Sequence, residues 1–230
     1  MNILERMVNT LKAEGIVVNL ESHEKDLVRN AGAKIRYPKG QIVFAVGEYA
    51  DRAYFIENGW VKIYRIAEDG RRVTVAIRRQ GEFFGLAETL CDGERICYAE
   101  AMDDIDLIVI RKDNFFTLLR ENADLAIKIA MILGARLREA QATIHEIVSW
   151  PVSGRLVLLL LKLAERSGVD TGNGIELNLR LTHEEIACMI GTSRPTVSLI
   201  FNSLKNEKAI VMKGRDIKKI YPEKLKKWVK

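Results

Sequence analysis

Residues 182–206 constrain the fold of this chain more than any other stretch, because nearly every position obeys a rule for starting or stopping a helix. Thr182 suits a helix N-cap, and Glu185, three residues on, completes a capping box. Ile186, Met189 and Ile190 supply an apolar stripe, and Gly191 ends the helix. Ser193 caps a second helix, with Pro195 in its first turn, where backbone N–H groups have no helical partner. Val197, Ile200 and Leu204 form the inward stripe of that helix and leave Arg194, Pro195, Ser198, Leu199 and Asn202 facing out. Two short capped helices joined by a glycine turn, the second opening on an outward Arg, read as a helix-turn-helix. The planar fork of an Arg matches the two acceptors that guanine shows in the major groove. A plain helical hairpin with a solvated Arg is the alternative.

Charge favours the first reading. The net charge is only +5, but twelve Lys and Arg stand against five acids from Arg180 onward, so the rest of the chain is slightly acidic. A basic C-terminal module on a near-neutral body is the electrostatic footprint of a nucleic-acid binder.

With 230 residues, 48% of them hydrophobic and 29% charged, the chain is expected to form two globular domains. No apolar run approaches the roughly 18 residues that span a bilayer, and Met1-Asn2-Ile3-Leu4-Glu5-Arg6 lacks the pattern of a signal peptide. Cys91, Cys97 and Cys188 are odd in number and scattered, without zinc or disulfide spacing, so a reducing cytoplasm is the expected home; for Cys91 and Cys97, six apart, buried structural thiols are the expected state and a redox pair the alternative.

Residues 3–33 read as helical, with a stripe at Leu4, Met7, Val8 and Leu11. Short alternating runs follow at 41–44, 53–56, 61–65, 73–77 and 107–110, and Gly47, Gly59, Gly70 and Gly81 recur between them every eleven or twelve residues. Strands at that spacing predict an antiparallel double-sheet β-roll over residues 34–111. Helical periodicity then returns. Ala126, Ala130, Leu133, Leu137, Ala140, Ile144 and Ile147 alternate spacings of four and three, a heptad seam that predicts a two-stranded dimer helix. Pro151 should break that helix at Trp150, because proline removes a helical N–H and disfavours helix in the residue before it. A further helix through Leu156–Ala164, a polar loop at 166–174, a strand near Ile175–Leu179 and a basic hairpin at 209–221 complete a wing.

This order of parts resembles the CRP/FNR superfamily of transcription regulators. The resemblance covers about residues 30–222 and rests on Lys39-Gly40 with Phe44 and Gly47-Glu48, Gly59-x-Val61-Lys62-Ile63-Tyr64-Arg65, Asp69-Gly70-Arg71-Arg72, Gly81-Glu82-Phe83-Phe84-Gly85 and Thr192-Ser193-Arg194-Pro195-Thr196-Val197-Ser198. It implies an α+β chain with an N-terminal β-roll (jelly-roll), a long dimerisation helix and a C-terminal winged helix-turn-helix. The implied divisions are 1–120 for effector sensing, 121–150 for dimerisation and hinge, and 151–230 for DNA.

The implied partners are a second copy of the chain, double-stranded DNA carrying a pseudo-palindromic operator, and RNA polymerase, with no membrane. The implied DNA contacts are Ser193, Arg194, Thr196, Ser198, Leu199, Asn202, Lys205, Lys213 and Arg215, and the implied dimer contacts are Leu133, Leu137, Ala140, Ile144 and Ile147.

The effector is a small molecule that the sequence leaves unknown. The resemblance places its site at Gly85, Leu86, Glu88, Arg95, Ile96 and Gln141. In cyclic-nucleotide-binding members a Gly-Glu opens the short helix and an Arg-Ser follows it, holding ribose and phosphate. Here Leu86 stands in place of the Glu and Ile96 in place of the Ser, so cyclic AMP is not the expected effector. Glu88 and Arg95 remain as a rearranged ligand pair, or as partners of each other. Residues 1–40 contain no Cys for the oxygen regulator's iron–sulfur cluster, and Gly85 and Ala87 stand where haem-based members carry Cys and His. No metal is expected. His23, His145 and His183 are dispersed and read as surface or capping residues, and with none of them in the β-roll a metal-dependent cupin enzyme is excluded. A ligand-sensing module acting only through protein partners is the remaining alternative.

The reading helix also departs from the family. Many members carry Arg-Glu-Thr-Val-x-Arg, whereas this chain has Arg194-Pro195-Thr196-Val197-Ser198-Leu199, which implies a different operator.

Overall fold

A computed structural model of the chain describes residues 20–177, 181–213 and 216–228. They fall into two compact units that divide in sequence between Gly134 and Ala135, within one long helix. The proposed stripe at Leu4, Met7, Val8 and Leu11 lies outside the described residues, as do Arg180 and Arg215.

The first unit begins with α1 (Ser22–Ala31) and continues with eight strands: β1 (Ala33–Tyr37), β2 (Ile42–Phe44), β3 (Arg52–Asn58), β4 (Trp60–Ile66), β5 (Arg72–Arg79), β6 (Phe83–Phe84), β7 (Tyr98–Ala101) and β8 (Ile105–Arg111). They build two four-stranded sheets in the orders β1-β8-β3-β6 and β2-β7-β4-β5, and every pairing is antiparallel. This is the double-sheet roll that the alternating runs predict. Gly47, Gly59, Gly70 and Gly81 lie in successive connections from β2 through to β6. Three strands carry no such sequence signal. β1 lies at the start of the expected roll but outside its alternating runs, β6 has two residues and β7 four. Each exists because a partner strand supplies hydrogen bonds to its backbone, as β8 does for β1 with Ala33 opposite Val109.

Side chains alternate across the β3–β8–β6 sheet and separate two cores. Tyr54, Ile56, Phe84, Leu107 and Val109 face the second sheet together with Phe44 and Val61. Ala53, Phe55, Phe83, Ile108 and Ile110 face the helices. Those helices are α1, α2 (Leu86–Cys91), α3 (Lys112–Glu121) and the start of α4 (Ala123–Ser149), contributing Val28, Leu86, Phe115, Leu118, Leu125 and Ile129. Full burial of each large side chain contributes about 1.5–3 kcal/mol, so truncating fully buried Phe55 to Ala costs about 3–5 kcal/mol.

In the second unit α4 stops at Ser149, and Pro151 becomes the N-cap of α5 (Val152–Ser167). The stretch expected as a polar loop contains a strand, β9 (Gly168–Asp170), hairpinned onto β10 (Ile175–Leu177). β10 pairs with β12 (Asp216–Ile220), and β12 with β11 (Ile210–Lys213), giving the order β11-β12-β10-β9. Between these strands come α6 (His183–Ile190) and α7 (Arg194–Asn206), and α8 (Pro222–Leu225) follows them. Leu156, Leu160, Ile186, Val197, Phe201, Leu204, Ile210 and Ile220 are buried and form the core of this unit.

Candidate nucleic-acid interface and effector cassette

The helix-turn-helix is built by local capping. The Thr182 hydroxyl accepts from Glu185 N at 3.2 Å, and the Glu185 carboxylate accepts from Thr182 N at 2.7 Å, so the capping box is closed. Gly191 ends α6 in the left-handed region at φ 65°, where a side chain would be strained. Ser193 caps α7 by accepting from Thr196 N at 3.4 Å, and the two hydroxyls lie 2.9 Å apart. Ser193 and Thr196 therefore hold the helix start in place.

The inward stripe of α7 differs from the expected one. It is Val197, Phe201 and Leu204, with Ile200 only half-buried. Phe201 wins because its ring lies 4.8 Å from that of His183. His183 is consequently no surface residue. Its Nδ1 is 2.9 Å from Ser198 Oγ, and that same hydroxyl donates to Arg194 O at 3.0 Å. This corrects the placement of Ser198 as an outward contact, since its hydroxyl is turned back onto α6 and its own helix. The signal for this was spacing alone: His183 opens α6, and Ser198 and Phe201 lie three apart on α7.

Arg194, Pro195, Leu199 and Asn202 do face out, as does Lys205, and Lys213 is exposed at the end of β11. Arg194 makes no side-chain hydrogen bond or ion pair among the described residues. Arg155 was not singled out by sequence. Its Nε donates to Ile190 O at 2.9 Å and its Nη1 to Trp150 O at 3.1 Å. It thereby satisfies a carbonyl left over at the end of α6 and ties the first helix of the motif to the chain break after α4.

The residues expected to bind an effector behave in the opposite way. Arg95 is 2% exposed. Its Nη1 donates to Gly85 O at 2.8 Å, and its Nη2 donates to Arg52 O. The guanidinium carbon lies 4.3 Å from the centre of the Phe44 ring, a cation–π contact. The Glu88 carboxylate is 3.6 Å from Nη1. Thr89 Oγ1 sits 2.8 Å from both the Arg52 and Gly85 carbonyls. Gly85 is required for this approach, because at φ 68° a Cβ would lie 3.0 Å from Arg95 Nη1. Burial raises the Tyr54 phenol to about 12, against the lowering effect of Arg95, and keeps it neutral beside the guanidinium.

Two of the residues expected to touch an effector, Leu86 and Ile96, stand apart from this cluster. Leu86 is 1% exposed and belongs to the helix-side core with Phe55 and Phe83, across the sheet from Phe44, because the short helix turns its first apolar residue inward. Ile96 is 55% exposed, one residue past the buried Arg95. Gln141 is exposed on the part of α4 that belongs to the other unit. The structure thus brings together Gly85, Glu88 and Arg95, with Phe44, Tyr54, Thr89 and the Arg52 carbonyl as partners that the sequence did not indicate.

The cysteines also differ from expectation. Cys91 is exposed, and Cys97 is half-buried. Burial first, then the neighbouring Glu88 charge, pushes the Cys97 thiol above its ordinary value. Among the described residues no group of three His, Cys, Asp or Glu is placed to hold a metal, and no helix is long and apolar enough to cross a membrane.

Family models match both units: a cyclic nucleotide-binding domain over residues 34–122, and a Crp-like helix-turn-helix domain over residues 154–228. The chain is 30% identical over 183 residues to the CRP-like cAMP-activated global transcriptional regulator of Mycobacterium tuberculosis, covering 80% of this chain and 82% of that one. The chain belongs to the CRP/FNR family. A second relative in that family, the global nitrogen regulator of a Nostoc species, is also 30% identical, over 79% of this chain and 82% of its own. A CRP/FNR-family transcriptional regulator of Thermus thermophilus superimposes with a TM-score of 0.71 at 26% identity, over 85% of this chain and 97% of that one. This CRP/FNR member is a DNA-binding transcription regulator and not an enzyme, as its named relatives are. Equal identity to a cAMP-activated regulator and to a nitrogen regulator selects neither effector.

Proposed function

We propose that this family member acts as a homodimer that presents two copies of α7 to adjacent major grooves of a pseudo-palindromic operator, under control of a small effector sensed by the β-roll. Residues 1–120 would sense, 121–150 dimerise and hinge, and 151–230 read DNA and meet RNA polymerase at the promoter. The observation that carries the DNA reading is the capped α7 with Arg194 exposed at its start and without an internal partner among the described residues. Arg194 would fork onto a guanine, while Lys205, Lys213 and Arg215 hold phosphates.

The seam on α4 supports a dimer. Leu137, Ile144 and Ile147 are 61%, 63% and 56% exposed, with Ala140 exposed between them, whereas Leu133 is partly buried against the helix-side core. Such a stripe is unusual on a monomer and has the heptad spacing of a two-stranded coil. Half-sites would then lie one helical turn apart, roughly 34 Å.

The effector would not be cyclic AMP. Arg95, the phosphate anchor that the family pattern suggests, is engaged by two backbone carbonyls, the Phe44 ring and Glu88. Binding-site selection from random duplex DNA tests the operator reading, sedimentation the dimer, and titration calorimetry the nucleotide. Micromolar heat with cyclic AMP that disappears in Glu88→Gln and Arg95→Ala would make this a cyclic-nucleotide-responsive regulator instead.

A further inference from the structure

α7 shows two apolar side chains, Pro195 and Leu199, on its outward face, followed there by the Asn202 amide. Pro195, Leu199 and Asn202 are spaced four and three apart, so they share one face of the helix. All three are exposed, and Leu199 is 69% exposed, the most exposed large apolar side chain on this helix. Ser198, the hydroxyl beside it, is held by His183 and by Arg194 O. Ser203, four residues on, donates to Leu199 O at 3.3 Å, and the Thr196 hydroxyl lies 2.9 Å from that of Ser193, so the hydroxyls around the branched Leu199 side chain are engaged within the protein.

The Leu199 side chain in a major groove has one good partner. Each base pair shows donors and acceptors there, and thymine alone adds a methyl group at C5. A cytosine amine or guanine carbonyl facing Leu199 would lose water without gaining a hydrogen bond, which disfavours those pairs. A thymine methyl gains apolar contact instead.

We propose that Leu199 is a specificity-determining residue that reads the 5-methyl group of a thymine in each operator half-site, beside the guanine read by Arg194. This rests on the reading that α7 occupies the major groove. The occupant is B-form DNA on account of the cations around this face, with Arg194 at its start, Lys205 at its far end and Lys213 on the wing.

The test uses the full-length protein. Operators are first selected from a random duplex library, and the thymine nearest the Arg194-dependent guanine is then replaced by deoxyuridine. That change removes only the methyl and keeps the base pair. Removing one buried methyl should weaken binding about fourfold per half-site. Replacing the same T·A pair with C·G should cost more, and 5-methylcytosine at that position should recover part of the loss. In Leu199→Ala, which removes an exposed side chain and leaves the cap intact, the deoxyuridine effect should vanish. Equal affinity for thymine and deoxyuridine at every half-site position, or a deoxyuridine effect that persists in Leu199→Ala, overturns the assignment while the protein still selects an operator. Selection that enriches no sequence at all overturns the groove reading, and this assignment with it.

Discussion

Two arginines in the two units face opposite demands. Arg194 stands exposed at the start of α7 with no internal partner among the described residues. Arg95 is buried with two carbonyls, an aromatic face and a carboxylate around it. A guanidinium out of water needs every donor matched, so Arg95 acts first as a structural tie between the β3 start, the Gly85 turn and the loop after α2. An exposed guanidinium keeps its hydration and loses it only to a partner, so Arg194 is available for recognition. Arg95 is matched by partners of its own unit, and Arg194 has none among the described residues.

The contrast breaks most readily at Arg95. Arg95→Ala leaves the single Thr89 hydroxyl to serve both the Gly85 and Arg52 carbonyls and removes the cation facing Glu88, and should cost about 3–5 kcal/mol in denaturant unfolding. A change under about 1 kcal/mol would mean that the cluster is held by something else. Leu137→Glu should be of similar size, several kcal/mol, because it would place an unpaired charge on the seam. Sedimentation should then show monomer, and a fully dimeric variant would move the interface off α4.

Arg194→Ala should do the reverse of Arg95→Ala. It should leave the unfolding midpoint unchanged and cost about 1–3 kcal/mol of operator affinity, with relaxed preference at one position. Lys213→Ala should weaken all sequences alike and flatten the salt dependence by about one unit of slope.

The smallest effect is a pH dependence in the first unit. Glu57 on β3 accepts from Arg29 of α1 at 2.5 Å and lies 2.9 Å from Lys34 of β1, and these bonds hold its carboxyl below the usual range. A lowered carboxylate pKa means that the unfolded state takes up protons first. The pair's contribution is therefore complete above the ordinary value of 4.5 and fades as pH falls through the lowered one. Both cations are about half exposed, so the effect is small, and Glu57→Gln should flatten the acid limb of the stability curve slightly without touching operator binding.

The sequence by itself determined the parts whose physics is local. Capping needs only three residues, so the Thr182–Glu185 box, the Ser193 cap and the Gly191 stop could be read directly. Proline acts on its neighbours, so the break at Trp150–Pro151 could be read too. Alternation with regular glycines was enough for the roll. Strands β1, β6 and β9 were not legible, because so few residues carry no period and take their hydrogen bonds from distant segments. Nor was the cluster around Arg95. Arg95 meets Arg52 O across 43 positions of sequence, and Leu86 falls on the far side of a sheet from it. Which face a side chain takes there depends on strand register. Only the folded chain decides that, because register comes from pairing between segments that no local rule connects.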